Sequence, residues 1–300
     1  MLDSCLRTRE WSSRKWYLIF CLLLLSTWLV ACAQPQAQNK SKAFVTPLAQ
    51  ITAPTPLLTR GILTIGSYTN YLPQEFTEGE TDTVVGFDID LINVLAQRMG
   101  LRPHVVQLDF SSLLPSLQEK NVDVVISALP ITSDLQKQVD FVPYFKGGES
   151  LLVANGNPHH IQGTNDLCGL SVGVRIGTLE ENDLRVASNT CKQAGNKPIT
   201  TIALSNGADV IQLLKTGRVV ATYQDAPVSD YYIHQDPSLF AIGGQVTNGN
   251  VEGIAIRKGD ASILQAVQKA FQAVRNDGTY HFLIMKWGLT TGELTSDEDG

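Results

Sequence analysis

The sequence has few charged residues and no concentration of basic ones. Of its 300 residues, 17% are charged and 43% are hydrophobic, and the formal net charge is −6. A basic stripe or face is typical of nucleic-acid-binding proteins, and none is present. We therefore expect no nucleic-acid partner. The composition is typical of a soluble globular protein, and the length permits one large or two moderate domains.

The residues that catalysis or metal binding usually requires are also sparse. No nucleophile–base motif or phosphate loop occurs, and no His lies near a Cys at zinc-ligand spacing. The sequence therefore predicts no cofactor, no metal and no enzymatic activity. The five His residues are scattered at His104, His159, His160, His234 and His281.

No apolar run reaches the length of about 20 residues that a membrane-spanning helix needs. Near the start, the 15-residue stretch Tyr17–Ala31 carries no charge and follows four basic residues. A basic segment, a short apolar core and small residues at its end are typical of a secretory signal. We predict a signal peptide over residues 1–31, with an uncleaved anchor as the alternative.

The signal ends in Leu29-Val30-Ala31-Cys32, which resembles the bacterial lipobox. In that motif the Cys is lipidated and becomes the first residue of the mature protein. Each buried acyl methylene adds about 0.8 kcal/mol to membrane attachment. Cys32 is therefore predicted to anchor the protein on the periplasmic or extracellular face of the cytoplasmic membrane, unless it is an incidental Cys.

Cysteine is scarce, with five in the chain, and two of them precede Cys32. Cys168 and Cys191 remain, and an even pair in an exported protein favours a disulfide. A reduced buried pair or a metal site stays open at this stage, although the lack of a nearby His disfavours zinc.

Between two irregular ends, strands and helices alternate. Residues 32–59 are rich in Gln, Pro, Ala and Thr and indicate a flexible tether, and residues 291–300 indicate a disordered acidic tail. The alternation predicts an α/β fold with parallel strands. Strands are predicted at 62–66, 105–108, 122–128, 150–154, 170–175, 199–203, 219–223 and 253–257. Helices are predicted at 87–99, 111–120, 177–187, 207–215, 227–234, 261–275 and 279–287.

Six segments in order resemble the bacterial extracellular solute-binding proteins of family three, the polar amino-acid receptors of ABC importers. They are Gly86–Leu91 (GFDIDL), Leu113–Ala128, Asp140–Tyr144, Val172–Thr178, Ile256–Asp260, and Asp277–Tyr280 with Lys286–Gly288. The resemblance implies a two-lobed periplasmic-binding-protein fold of type II. Each lobe would be a mixed sheet flanked by helices, with two hinge crossings. Lobe one would comprise 60–147 plus 248–290, and lobe two 148–247.

The function that the resemblance implies is capture of a small polar, amino-acid-like solute and its delivery to an ABC importer permease. The protein would act as a monomer. Three alternatives stay open: a periplasmic cyclohexadienyl-type dehydratase on the same fold, a sensor that acts through a separate receptor, and an orphan that keeps the fold but has lost tight binding. Glu180 and Glu181 are the acids, besides Asp225, that a dehydratase could use near the cleft.

Three positions in the second half of the chain are predicted to hold the charged ends of the solute. The resemblance implies that Asp225 pairs with an α-ammonium, although its place before Pro227 also fits a helix N-cap. Gly177-Thr178 starts a helix, where free amides can receive an anion. Arg175 could add a planar fork for a carboxylate.

The first half is predicted to supply the walls of the site. Tyr71 and Phe87 are the expected aromatic walls, with Phe87 beneath its own helix as the alternative. The remaining candidates in this half are Tyr68, Ser127, Ala128 and Leu129. Relatives often carry an Asp at the position of Tyr68, so Tyr68 argues against a strongly cationic solute side chain.

The main departure from the family pattern lies at residues 127–135. The family Arg that clamps an α-carboxylate is replaced by Leu135, and Pro130 replaces a hydroxylated residue. A buried carboxylate without a cation is costly. Either Arg175 replaces the lost fork, or the solute is not a standard α-amino acid.

Overall fold

The computed structural model describes residues 51–79 and 83–295. The predicted signal peptide, Cys32 and most of the predicted tether lie outside these residues. Within them, no helix is both long and apolar enough to cross a bilayer. Nor does any group of three or more His, Cys, Asp or Glu side chains there form a potential metal site.

Twelve strands and seven helices make up the described chain. The strands are β1 (Ile62–Ser67), β2 (Asn70–Tyr71), β3 (Glu75–Glu78), β4 (Thr83–Val85), β5 (Arg102–Gln107), β6 (Val124–Val125), β7 (Val139–Ala154), β8 (Ser171–Arg175), β9 (Thr200–Leu204), β10 (Ala221–Asp225), β11 (Phe240–Ile242) and β12 (Thr247–Arg257). The helices are α1 (Phe87–Arg98), α2 (Leu113–Gln118), α3 (Leu179–Gln193), α4 (Gly207–Lys215), α5 (Ala226–Gln235), α6 (Ala261–Asn276) and α7 (Thr279–Trp287).

The described strands form one large mixed sheet and one small sheet. The large sheet has the order β5-β1-β6-β12-β7-β10-β8-β9, with β11 paired to β7, and the small sheet has the order β2-β3-β4. β1 is parallel to β5 and β6, and β8 is parallel to β9 and β10. β7 is antiparallel to β12 along its first part and to β10 and β11 along its second.

The buried apolar residues divide the described chain into two lobes, each with its own core. Two clusters draw on residues 63–145 and 254–294, and we call this part lobe one. Two others draw on residues 151–241, and we call this part lobe two. Because β7 and β12 pair side by side between the lobes, they are the two crossings that the sequence predicts.

Helix α6 illustrates how the sequence builds lobe one. The Asp260 side chain caps its start by accepting a hydrogen bond from the Ile263 amide at 3.2 Å. Ile263, Val267 and Phe271 then recur at helical spacing and are buried against the sheet. Burial of each such side chain contributes about 1.5–3 kcal/mol to folding.

Two predicted irregular segments are shorter than expected. In the predicted tether, Pro54 is buried, Ile51 and Leu57 pack against the lobe-one core, and the Ile51 amide donates to the Arg98 carbonyl at 3.1 Å. In the predicted tail, Leu294 is buried and its amide donates to the Tyr280 hydroxyl at 3.0 Å. Both corrections have one physical reason, which is that isolated apolar residues in polar segments still find core partners.

The disulfide between Cys168 and Cys191 is present, with 5.6 Å between the Cα atoms. It joins the segment before β8 to the last turn of α3. This helix ends at Gln193, beyond the predicted end at 187.

In lobe one, the Trp287 indole nitrogen donates to Asp90 at 2.8 Å. The Trp287 ring also contacts Phe76 of the small sheet edge to face, at 6.0 Å between centroids.

Candidate functional site

Two adjoining cavities lie between the lobes and together form what we call the cleft. The larger has a volume of about 580 Å³ and the smaller about 360 Å³. Both are lined by Tyr68 and Tyr71 from lobe one and by Arg175 and Asp225 from lobe two. A small solute in this cleft would therefore contact both lobes at once.

Asp225 ends β10 and stands at the N-cap position of α5, with Pro227 in the first turn. Its side chain makes no capping hydrogen bond, so the capping alternative does not account for it. The carboxylate instead lies beside the Tyr71 hydroxyl. Burial and the Asp225 charge raise the pKa of Tyr71 well above its usual value. Asp225 is thus available to a cationic group in the cleft.

The start of α3 lies at the larger cavity, although one of its amides is occupied. Thr178 lines this cavity together with Asp225. The Thr178 hydroxyl donates to the Arg175 carbonyl at 2.9 Å and accepts from the Glu181 amide at 3.3 Å. Gly177 does not line the cleft, and its amide donates to the Glu181 carboxylate at 2.7 Å. This carboxylate already occupies the predicted anion position at Gly177.

Arg175 ends β8, is exposed and lines both cavities. Within the described chain, no side chain or carbonyl pairs with its guanidinium. Arg175 is therefore placed to contact a solute.

The aromatic walls differ from those that the sequence predicts. Phe87 lines neither cavity, because it is fully buried in the lobe-one core, where its ring lies 5.4 Å from Phe145 and 6.2 Å from Tyr144. Phe110 takes its place in the smaller cavity; it is 52% exposed and its ring contacts Tyr68 edge to face at 6.1 Å. The signal available in the sequence was the position of this Phe directly before the predicted helix at 111–120.

The segment Ser127–Leu129 contributes two of its three predicted residues. Ser127 and Ala128 line the smaller cavity, whereas Leu129 is buried in the core. The Ser127 hydroxyl accepts from the Tyr68 amide at 3.1 Å and donates to Glu75 at 2.7 Å. Pro130 lines the smaller cavity, whereas Leu135, in the turn Leu135–Lys137, lines neither.

Three buried acids in the cleft were not predicted as contacts. Glu75 and Glu252 line the smaller cavity and are 1% and 4% exposed. Glu180, which the sequence offered only as an acid for catalysis, lines the larger cavity and is 4% exposed. From Tyr68, which stands where relatives often have an Asp, we expected the site to lack an acid for a cationic side chain. These three acids show that this expectation does not describe the cleft as a whole.

The environment of these acids favours their neutral forms. Burial, with the nearby Asp88 charge, raises the pKa of Glu252 to about 8. Burial, with the Asp225 charge, raises the pKa of Glu180 to about 7. Burial and the Asp88 charge also raise the pKa of Glu75 well above its usual value. Each acid would ionise more readily beside a bound cation.

The sequence matches the family described as bacterial extracellular solute-binding proteins, family 3, over residues 63–290. The chain belongs to this family. Its two lobes and interlobe cleft give it the two-lobed type II periplasmic-binding fold that the sequence predicted.

Two curated proteins and one solved structure illustrate the likeness to family 3. The chain is 34% identical over 232 residues to the lysine/arginine/ornithine-binding periplasmic protein of Escherichia coli K12, covering 74% of this chain and 86% of that protein. It is 27% identical over 277 residues to a probable histidine-binding protein of Campylobacter jejuni, covering 92% and 99%. The structure of an ancestral cationic amino acid solute-binding protein matches with a TM-score of 0.68 and 30% identity, covering 76% and 96%.

Proposed function

We propose that this protein is a lipid-anchored, extracytoplasmic receptor that captures a small amino-acid-like solute and delivers it to the permease of an ABC importer. Family membership supports the solute-binding role. The names of the relatives, which refer to arginine, lysine, ornithine and histidine, support an amino-acid-like ligand. Anchoring rests on the lipobox-like segment ending at Cys32.

One observation carries the proposal: Asp225 and Thr178 line a single cavity between the lobes. A carboxylate and a helix start at one cavity offer complementary partners for an ammonium and an anionic group. Tyr68 and Tyr71, from the other lobe, complete the enclosure.

Calorimetric titration of the full chain with a panel of amino acids, amines and organic acids tests this proposal. We expect one class to bind, and Asp225→Asn to weaken that binding by about 10- to 100-fold, as expected for a charge-assisted hydrogen bond. Asp209→Asn is the matched control, because Asp209 is an exposed acid that lines neither cavity. Absence of binding by every compound would contradict the proposal.

We infer that Arg175 receives the anionic group of the solute in place of the Arg that position 135 lacks. Arg175→Ala should weaken binding of any solute with a carboxylate by at least about 10-fold. Arg185→Ala, on the exposed face of α3, is the control, since that guanidinium already binds Asn182 at 2.6 Å. Equal binding by Arg175→Ala and the wild type would remove Arg175 from the site.

Transport and sensing differ in their dependence on a permease. Deletion of the gene should abolish uptake of the labelled solute if the protein serves an importer. Normal uptake with a lost transcriptional or behavioural response would favour the sensor alternative.

A second candidate, dehydratase activity, is favoured by one observation. Glu180 lies in the cleft, and a pKa of about 7 suits a general acid. The Asp225 carboxylate, which lines the same cavity as Glu180, would repel an anionic substrate such as prephenate. We therefore place binding first, and an assay of prephenate and arogenate turnover, with Glu180→Gln as control, separates the two functions.

A further inference from the structure

The lobe-one wall of the smaller cavity is poorly equipped to bind a carboxylate. The Tyr68 amide donates to Ser127, the Ser127 hydroxyl to Glu75, and the Ala128 amide to Asp88 at 3.1 Å. Pro130 has no amide hydrogen to offer. Several donors that an anion would need are thus already hydrogen-bonded within the protein. The side-chain amide of Asn250, an exposed residue that lines this cavity, is an exception.

The same wall presents buried acceptors. Glu75 lines the cavity, and its Oε2 atom is buried with no donor among the residues that the structure describes, apart from a proton that it can share with Asp88. Glu252 also lines the cavity; its Oε2 atom accepts from the Gln74 side chain at 2.6 Å. Asp88 lies next to both, with one oxygen bound by the Tyr144 hydroxyl at 2.6 Å.

The acids that line the smaller cavity outnumber the cations. Asp225 adds a third carboxyl group across the cleft, and Arg175 is the one cationic side chain among the described residues that line this cavity. A buried carboxylate without a cation is costly, so such a group either binds a proton or is matched by a cation. A cationic ligand would supply the match.

We propose that Glu75 and Glu252 form a cation-binding subsite, so that the solute carries a second positive charge in addition to the ammonium at Asp225. This inference rests on the proposed function and assigns its substrate class. The group would be a primary ammonium or a guanidinium. The rings of Tyr68, Tyr71 and Phe110 line the same cavity and suit a cation, because the faces of aromatic rings attract positive charge.

Two kinds of solute share this chemistry. One is an α-amino acid with a cationic side chain, whose carboxylate would bind Arg175. The other is the corresponding amine without a carboxylate.

The test compares L-arginine, its neutral isostere L-citrulline and its decarboxylated form agmatine, by calorimetric titration of the full chain at pH 8. We expect at least one of the two cationic compounds to bind 30-fold or more tightly than L-citrulline. Glu252→Gln should reduce that ratio to less than about 5, while binding of L-citrulline changes little. Glu149→Gln, a buried acid that binds Tyr223 and lines neither cavity, should leave the ratio unchanged.

Other outcomes separate this inference from the proposed function. Affinity for L-citrulline equal to that for both L-arginine and agmatine, or equal loss of cationic and neutral binding in Glu252→Gln, would overturn the subsite but leave the receptor function standing. Absence of binding by any amino acid or amine would overturn both. Agmatine binding as tightly as L-arginine identifies an amine without a carboxylate, whereas a tenfold or greater preference for L-arginine identifies the amino acid.

Discussion

At the residue scale, Glu252 couples the stability of the empty protein to pH. Its folded-state pKa of about 8 lies above the ordinary value of a glutamate, because it is buried beside Asp88 and Asp225. As the pH rises, the folded state therefore keeps a proton on Glu252 that the unfolded state releases at a lower pH. The resulting stability is fully present below about pH 4.5 and is lost as the pH rises through about 8.

We predict that Glu252→Gln stabilises the empty protein at pH 8 by about 2 kcal/mol and changes its stability little at pH 4.5. Denaturant unfolding at the two pH values measures this difference. The wild type should lose stability between these values, and the variant should lose less. Asp209→Asn, which alters an exposed acid, is the control. A variant less stable than the wild type at pH 8 would contradict the assignment.

The sequence predicts site residues best where a polar or charged residue lies at the end or the start of a predicted strand or helix. Asp225, Arg175 and Thr178 follow or begin regular elements, and all three reach the cleft. Phe87 was misplaced because a side chain at a helix start can face the core as readily as the cleft. Glu75 and Glu252 were not predicted because they are distant from each other in sequence, and only folding brings them to one cavity.

At the element scale, the crossing strands pass so close together that β7 requires small residues. A Cβ atom at Gly147 would lie 2.6 Å from Glu252 Oε1 and 2.7 Å from Asn250 Oδ1. Gly148 has a φ of +158°, and a Cβ atom added there would lie 2.5 Å from Val246 Cγ1. The glycine pair therefore allows the acid at 252 to occupy the cleft beside the hinge.

We predict that Gly147→Ala displaces the Glu252 side chain, with a stability cost of about 1–3 kcal/mol. Preference for a cationic over a neutral solute should fall in parallel. Unfolding and titration experiments measure the two effects. Gly163→Ala is the control, because its added Cβ meets no atom within 4 Å. Normal cation preference in Gly147→Ala would contradict this account.

We predict that loss of the disulfide destabilises lobe two but leaves solute affinity nearly unchanged. The bond closes a loop with a sequence separation of 23, and its removal costs about 3 kcal/mol. Cys191 lies near the end of α3 opposite to Thr178, about 20 Å away along the helix axis. Thermal unfolding and titration of a Cys168→Ser, Cys191→Ser double variant provide the measurement, with a cysteine-intact chain under the same oxidising conditions as control. A large loss of affinity would contradict the separation of the two roles.

Elements with strong periodicity were predicted closely, for example α4, α6 and β8. The long crossings were predicted only in part, as 150–154 and 253–257. Pro143 and Gly147-Gly148 interrupt the first in sequence, and Asn248-Gly249-Asn250 resembles a turn in the second. Pairing between the two strands holds these weak strand formers extended, and a single chain segment does not reveal its partner.

At the scale of the whole molecule, lobe closure around the solute is the expected motion. The hinge strands β7 and β12 are continuous, whereas the apolar cores of the lobes are separate. We predict a fall in the radius of gyration on addition of a saturating solute, measured by small-angle X-ray scattering. Asp225→Asn should show no such fall at the same concentration. A wild-type radius that does not respond at saturation would contradict closure.

The proposed membrane attachment through Cys32 can be tested separately from solute binding. We predict that Cys32→Ser moves the protein from the membrane fraction to the soluble or secreted fraction, because the acyl chains would be lost. Cys168→Ser is the control, since that residue belongs to the folded body. Fractionation with immunodetection gives the answer. Continued membrane association of the Cys32→Ser chain would support the uncleaved anchor instead.

The contact between Trp287 and Phe76 has a practical consequence. Three of the four tryptophans lie at positions 11, 16 and 28, so a chain that begins at Cys32 has one indole. That indole contacts the ring of Phe76, which itself lines the larger cavity. Its emission would therefore report occupancy of the cleft, and the processed protein would serve as an optical sensor without an added dye.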